Sequence, residues 1–201
     1  MLTLPRSEFA KRRKVYADLT SDGISILQSS PLMERNLDVE FPYRQDSNFL
    51  YLTGFPEDES IAVIRPGKTQ FYVLLVKPKN HREEVWTGRR LGKAAAKKMS
   101  GADEVYSIDD LADRLPKLIG KARHVYYEGN RQDDISKVVR HSIQGIKKSK
   151  PAKTIASLRV KKSAAEVSLQ EYAIKITHEA HAAAARAMRP GMFEYEIKAL
   201  L

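Results

Sequence analysis

Two short apolar runs joined by a turn constrain the fold of this 201-residue chain more than any other feature. Residues 60–65 read SIAVIR and residues 70–76 read QFYVLLV, and both are rich in the β-branched and aromatic residues that favour strands. The Pro66-Gly67-Lys68 sequence between them is a turn signal. The pattern therefore predicts a β-hairpin, and any sheet that contains it has at least one antiparallel pair of strands.

Strand-like and helix-like segments alternate through the first 150 residues. Short β-branched or aromatic runs at residues 24–27, 104–107 and 124–127 predict three more strands. Helical patterns lie between them, and such alternation predicts an α/β fold. Because the hairpin is antiparallel, we expect a mixed β-sheet flanked by helices.

Capping residues indicate where several of these helices begin. Ser7 is expected to cap the first helix of the chain. Ser107 and Asp110 have the spacing of a capping box for the helix that follows them. Asn130 is expected to cap a helix that runs from about residue 132 to residue 146.

A charged, proline-containing segment at residues 147–153, KKSKPAK, predicts a break between two parts of the chain. Beyond it, Ser163 and Glu166 have the spacing of a capping box for a long helix that ends near Met188. We therefore expect residues 1–162 to form an N-terminal domain with its linker. Residues 163–201 are expected to begin a second domain that the chain does not complete.

Composition excludes several classes of protein. The chain has no Cys, which excludes disulfide bonds and thiolate metal sites and fits a reducing compartment. The first residues lack the apolar core of a signal peptide, and no apolar run reaches membrane-spanning length. We therefore expect a cytoplasmic protein that makes no contact with a membrane.

The formal net charge of +10 raises the alternative of a nucleic-acid-binding protein. The Lys and Arg residues occur in short scattered clusters, and no zinc-finger, helix-turn-helix or aromatic RNA-binding motif accompanies them. An exposed basic surface is the favoured interpretation. Binding to nucleic acid stays open as the less favoured one.

The His and acidic residues form no complete catalytic site in the sequence. His178 and His181 flank Glu179, but a zinc-protease motif needs its two His four residues apart. The acidic pairs at residues 109–110 and 133–134 lie in predicted first helical turns, where carboxylates stabilise the helix terminus. We therefore assign no catalytic residue and no metal ligand to this chain.

The only Trp of the chain lies in the segment 84–92, EVWTGRRLG, between acidic and basic residues. A loop is expected here, and two interpretations of Trp86 stay open. A lone Trp is often a buried packing anchor. The neighbouring Arg89 and Arg90 make this segment equally suited to contact an anion or a partner.

A group of aromatic residues follows an ordered polar run in the segment 41–60, FPYRQDSNFLYLTGFPEDES. Asp46 or Ser47 is expected to cap a short helix. Phe49 and Leu52 then share a face of that helix, which anchors it to the sheet. Gly54 is expected to end it.

Together these segments resemble the aminopeptidase P family, the Xaa-Pro aminopeptidases of the pita-bread metallopeptidase group. The N-terminal domain of that family carries a similar polar and aromatic stretch, which here consists of Tyr43, Arg44, Gln45, Asp46, Ser47, Asn48, Phe49, Leu50, Tyr51, Leu52, Thr53, Gly54 and Phe55. Three further family motifs are matched in order by WTGRRLG at 86–92, KKSAAE at 161–166 and RPGMFEY at 189–195. The resemblance covers nearly the whole chain.

The resemblance implies the N-terminal domain of an aminopeptidase P or creatinase relative, followed by the first long helix of a pita-bread catalytic domain. Full-length members bind two divalent metals, commonly manganese, whose bridging hydroxide attacks the bond before proline. The metal ligands and the catalytic His of the family would fall after Leu201, so this chain is expected to be inactive alone. The motif residues expected to be structural are Tyr43, Arg44, Gln45, Asp46, Ser47, Phe49, Tyr51, Gly54 and Phe55.

The family also implies a role for this portion of the enzyme. It would shape the entrance for proline-containing peptides and make contacts between subunits of a homo-oligomer. Trp86, Arg89 and Arg90 are the candidate entrance residues, and Asp38 is a further candidate that would meet the free amine of the substrate. The alternative is a free-standing, non-catalytic interaction module from a truncated gene.

Overall fold

The computed structural model describes residues 3–129 and 132–201. Among these residues the strands are β1 Ile24–Gln28, β2 Glu34–Asn36, β3 Val39–Glu40, β4 Ile61–Ile64, β5 Tyr72–Val76, β6 Glu104–Ser107, β7 His124–Tyr126 and β8 Lys147–Ser149. The α-helices are α1 Arg6–Leu19, α2 Ser47–Thr53, α3 His81–Thr87, α4 Gly92–Ser100, α5 Leu111–Ile119, α6 Asp134–Ser142, α7 Ala152–Val160, α8 Ala164–Ala187 and α9 Glu194–Lys198.

Six strands form one mixed sheet in the order β6-β5-β4-β1-β7-β8, and β2 pairs with β3 in a separate hairpin. The predicted hairpin is confirmed, because β4 and β5 are antiparallel with Ile61 opposite Leu75 and Ile64 opposite Tyr72. Strand β1 lies in the centre, antiparallel to β4 and parallel to β7. The expected α/β fold with a mixed sheet flanked by helices is therefore confirmed.

Both faces of this sheet are covered, which explains why its central strands are apolar without interruption. On one face, Ala62 and Ile64 of β4 belong to a core shared with α1, α2, α4 and α7. On the other face, Ile61 and Val63 of the same strand belong to a core shared with α5 and α6. All four residues of β4 are fully buried, so this strand lies at the centre of the domain.

Two of the expected helix starts are corrected by the structure, and a third falls on a residue that it does not describe. Helix α1 begins at Arg6 after its N-cap residue Pro5, so Ser7 lies inside the first turn instead of capping it. The Ser107 side chain accepts the Asp109 N–H and caps a single 3-10 turn, Ile108–Asp110, instead of α5. Asn130 lies outside the described residues.

Helix α6 is shorter than expected. It spans Asp134–Ser142 instead of residues 132–146, and its N-cap is Asp133, whose carboxylate accepts the Ser136 N–H at 2.7 Å. The acidic pair at 133–134 is thus a helix start, as the sequence indicated.

The predicted break at residues 147–153 is also wrong. Residues 147–149 form β8, which runs parallel to β7, and α7 begins at Ala152. The side chain of Ser149 has a partner as well, since its hydroxyl lies 2.9 Å from Nε2 of His124. Nδ1 of the same His124 lies 2.7 Å from a carboxylate oxygen of Asp22. These partners are distant in the sequence. The local sequence of this short polar strand therefore does not predict that it forms.

Contacts within the chain divide it into two compact units, one spanning Pro5–Val160 and one that contains Lys161–Leu201. In the second unit, α8 begins with the predicted capping box, in which Ser163 and Glu166 exchange side-chain-to-backbone hydrogen bonds. The assignment of residues 163–201 to a catalytic domain stays a prediction. Over the described ranges, no helix combines the length and the apolar character needed to cross a membrane.

Candidate functional site

Gln45 organises the segment that leads into α2. Its side chain is buried and uses all four of its hydrogen-bonding positions. Nε2 donates to the carbonyl oxygens of Phe55 at 3.2 Å and Glu57 at 2.8 Å. Oε1 accepts the N–H groups of Ser30 at 2.9 Å and Asp46 at 2.8 Å. One amide thus joins the end of β1, the start of α2 and the segment that precedes β4.

Helix α2 begins and ends as the sequence predicts. The Asp46 carboxylate accepts the N–H groups of Asn48 and Phe49, at 3.0 and 2.8 Å. Gly54 ends the helix in the left-handed region with φ 64°. A Cβ at Gly54 would lie 2.6 Å from the Phe9 ring of α1, so glycine is required here both by conformation and by space.

Two arginines of α1 hold the C-terminal half of α2. Arg13 is buried, donates to the Leu52 carbonyl at 2.9 Å and lies over the Tyr72 ring at 4.0 Å. Arg12 lies over the Tyr51 ring at 4.2 Å. Burial lowers the pKa of Arg13. Aromatic residues of the family motif therefore make structural contacts with α1, and these contacts position helix α2.

The structure corrects the expected environment of Trp86. The residue lies on helix α3 instead of in a loop, and its side chain is 89% exposed. Its neighbour Val85 is 78% exposed. The interpretation of Trp86 as a buried packing anchor is therefore wrong for this chain. The remaining interpretation is that Trp86, exposed on an exposed helix, belongs to a segment that contacts an anion or a partner.

The two arginines after α3 have different environments. Arg89 is exposed. The Arg90 guanidinium forms a bidentate ion pair with Asp58, in which Nη1 bonds to Oδ1 and Nη2 lies 3.2 Å from Oδ2. The hydrogen bond from Arg90 to Asp58 raises the pKa of Arg90. The next residue, Leu91, donates its N–H to the Glu57 carboxylate at 2.7 Å.

Asp38 lies in the turn between β2 and β3 and is exposed. Strands β1 and β5 are both antiparallel to β4, so they run in the same direction and end at the same edge of the sheet. The hairpin that carries Asp38 follows β1, and α3 with Trp86 follows β5. The segments that carry Asp38 and Trp86 therefore both follow strands that end on the same side of the sheet.

The contacts of the acidic run Glu57-Asp58-Glu59 were not predicted from the sequence, although each of the three carboxylates has a partner. Burial raises the pKa of Glu57, while Asp58 pairs with Arg90 and Glu59 pairs with Lys77 at 3.0 Å. Three consecutive acidic residues, separated from the family motif by Pro56 alone, are the signal that could have identified this run. Their partners lie 18 to 34 residues later in the chain, which the sequence does not show.

The residues that the structure describes do not fit the two-metal site that the family implies. Within residues 3–129 and 132–201, no group of three or more His, Asp or Glu side chains is placed to hold a metal ion. His178 and His181 are exposed on α8, at a spacing of three residues.

Comparisons with known proteins match more than half of this chain for the family model and nearly all of it for a curated relative. The family model described as "Aminopeptidase P, N-terminal domain" matches residues 9–126. The Xaa-Pro aminopeptidase of Haemophilus influenzae is 32% identical over an alignment that covers 98% of this chain and 47% of that protein. The chain thus spans about half the length of such relatives.

Solved structures give the same result. The aminopeptidase PepP of Pseudomonas aeruginosa superposes with a TM-score of 0.90 and 36% identity, over 100% of this chain and 49% of that one. A zinc-substituted aminopeptidase P of Escherichia coli in complex with product superposes with a TM-score of 0.88 and 27% identity, over 98% of this chain and 48% of that one.

Proposed function

We infer the function of this chain from the family to which it belongs, the aminopeptidase P family, whose N-terminal domain it carries. We propose that it is the N-terminal part of a Xaa-Pro aminopeptidase, which removes a residue that precedes proline. In this proposal the chain forms the substrate entrance and subunit contacts, and a following catalytic half holds two divalent metals. The cytoplasm is the compartment that we propose for it.

One observation carries this proposal. The whole chain superposes on about half of a solved aminopeptidase, with a TM-score of 0.90 at 36% identity. The family motifs occur in the same order along that length.

The proposed entrance consists of Trp86, Arg89, Arg90 and Asp38. The exposed indole of Trp86 offers a flat apolar face to a proline ring. The exposed Arg89 can hold a peptide carbonyl or carboxylate, and Asp38 can meet a free amine. Arg90 already pairs with Asp58, so we propose that it contributes by holding this segment in place.

The 201-residue chain alone is expected not to hydrolyse Xaa-Pro peptides, with or without added Mn²⁺. The reason is that its described residues offer no cluster of metal ligands. Release of the N-terminal amino acid from an Ala-Pro peptide measures the activity. Metal-dependent turnover that follows the protein through every purification step would contradict the proposal.

Trp86→Ala tests the entrance in an active protein that carries this chain as its N-terminal half. We expect kcat/KM for Xaa-Pro peptides to fall about tenfold, the loss of ~1.4 kcal/mol of transition-state binding. Tm should stay nearly unchanged, because the side chain is exposed. Met99→Ala removes another exposed side chain, on α4, and should leave kinetics unchanged. A large fall in Tm with normal kinetics would exclude the entrance role.

A further inference from the structure

Helix α3 has little apolar contact to hold it against the domain. None of its seven residues, all of which the structure describes, is buried. An isolated helix of this length is unstable in water, since about 12 to 15 residues are needed even for favourable sequences. The contacts that the structure shows for α3 are polar ones.

At its N-terminus, α3 is held by local and exposed contacts. The Asn80 side chain accepts the Arg82 N–H at 3.1 Å and donates to the Glu83 carboxylate at 2.8 Å. Lys77, at the end of β5, lies 3.8 Å from the Glu83 carboxylate. Exposed pairs of this kind contribute little stability and weaken as salt rises.

At its C-terminus, α3 is held by a buried contact. The side chain of Arg90 is 11% exposed and that of Asp58 is 4% exposed. The Arg90 N–H also donates to the Glu84 carboxylate of α3 at 3.1 Å, so one residue joins the helix to Asp58. A buried, bidentate pair between an Arg and a carboxylate is stronger and geometrically more specific than an exposed one.

Asp58 is itself fixed to the centre of the fold. Its carbonyl oxygen accepts a hydrogen bond from the hydroxyl of the fully buried Ser60 at 2.8 Å. Strand β4 begins directly after Ser60, at Ile61. The Ser60 N–H in turn donates to the Ser29 hydroxyl at 2.8 Å, at the end of β1. The ion pair therefore connects α3 to the two central strands of the sheet.

We propose that Asp58 and Arg90 are positioning residues whose ion pair fixes helix α3 and thereby the location of Trp86. The geometric part of this proposal concerns the chain itself. Its consequence for catalysis rests on the proposed function of Trp86 at the substrate entrance.

The fluorescence of Trp86 tests the geometric part, because Trp86 is the only Trp of the chain. Excitation at the red edge of the spectrum, where Tyr does not absorb, reports on α3 alone. In Asp58→Asn we expect the steady-state anisotropy to fall to about 0.7 of its parental value, the ratio of a flexible to a rigid order parameter. Asp134→Asn removes an exposed carboxylate on α6 and should leave the anisotropy unchanged.

A second variant addresses the possibility that Asp58→Asn does not fold, since it leaves a charged Arg90 without its partner. Asp58→Asn combined with Arg90→Gln removes both charges and should give the same fall in anisotropy. Parental anisotropy in the folded variants would overturn the proposal. Failure of both variants to fold, measured by circular dichroism, would also overturn it, since the pair would then support the whole domain.

Kinetics separate this inference from the proposed function. In an active protein that carries the chain, Asp58→Asn should lower kcat/KM about as much as Trp86→Ala, and the two changes together should cause no further loss. A fall in anisotropy without a kinetic effect would leave the positioning role intact and contradict the entrance role of Trp86. An additive kinetic loss would instead contradict the claim that Asp58 acts through Trp86.

Discussion

Gln45→Leu is expected to lower the free energy of unfolding by about 3 kcal/mol or more, because each buried polar group left without a partner costs about 1 to 3 kcal/mol. The Gln45 amide serves four backbone groups, those of Ser30, Asp46, Phe55 and Glu57. Leucine has a similar size but satisfies none of them. Urea unfolding of the two proteins, followed by circular dichroism, measures the difference.

Gln144→Leu is the matched control for this change. The Gln144 side chain is exposed, so the same chemical replacement should change the free energy of unfolding by less than about 0.5 kcal/mol. Equal effects of the two substitutions would show that the Gln45 hydrogen bonds contribute no more than an exposed polar surface does. The organising role of Gln45 would then be wrong.

Gly54→Ala is expected to destabilise the domain for two reasons that can be measured separately. The left-handed backbone conformation costs a non-glycine residue about 1 to 2 kcal/mol. The added Cβ would also lie 2.6 Å from the Phe9 ring, and forcing extra atoms into a packed core costs about 1 to 3 kcal/mol. We expect a total loss of about 2 to 5 kcal/mol in the free energy of unfolding.

Gly67→Ala isolates the first of these two effects. Gly67 lies in the turn of the β4–β5 hairpin with φ 70°, and a Cβ there would meet nothing within 4 Å. The difference between the two variants therefore measures the collision of α2 with α1. If Gly54→Ala were no more damaging than Gly67→Ala, the close packing of Gly54 on Phe9 would be refuted.

The parts of the fold that the sequence predicts are those specified by neighbouring residues. The hairpin at residues 60–76 and the helix from Asp46 to Gly54 each carry their own turn or cap, and both are confirmed. Strand β8 and the β2–β3 hairpin were missed, because short polar strands form only through pairing with another strand. Local propensity contains no information about that partner.

The candidate site was predictable to a smaller extent. The sequence singled out Trp86, Arg89 and Arg90 as candidates, but it did not predict that Trp86 is exposed on a helix. It also could not show that Arg90 pairs with Asp58, which lies 32 residues earlier. Burial and long-range pairing depend on the position of α3 in the folded domain, and no local pattern encodes that position.

Strand β8 also has a consequence for how the domain behaves in a crowded solution. It forms one outer edge of the six-stranded sheet, and such an edge offers unpaired backbone groups to strands of other molecules. Lys147 and Lys148 are exposed on this strand, and Lys150 follows it. Their like charges repel the same edge of another copy, so part of the net charge of +10 protects the protein against edge-to-edge aggregation.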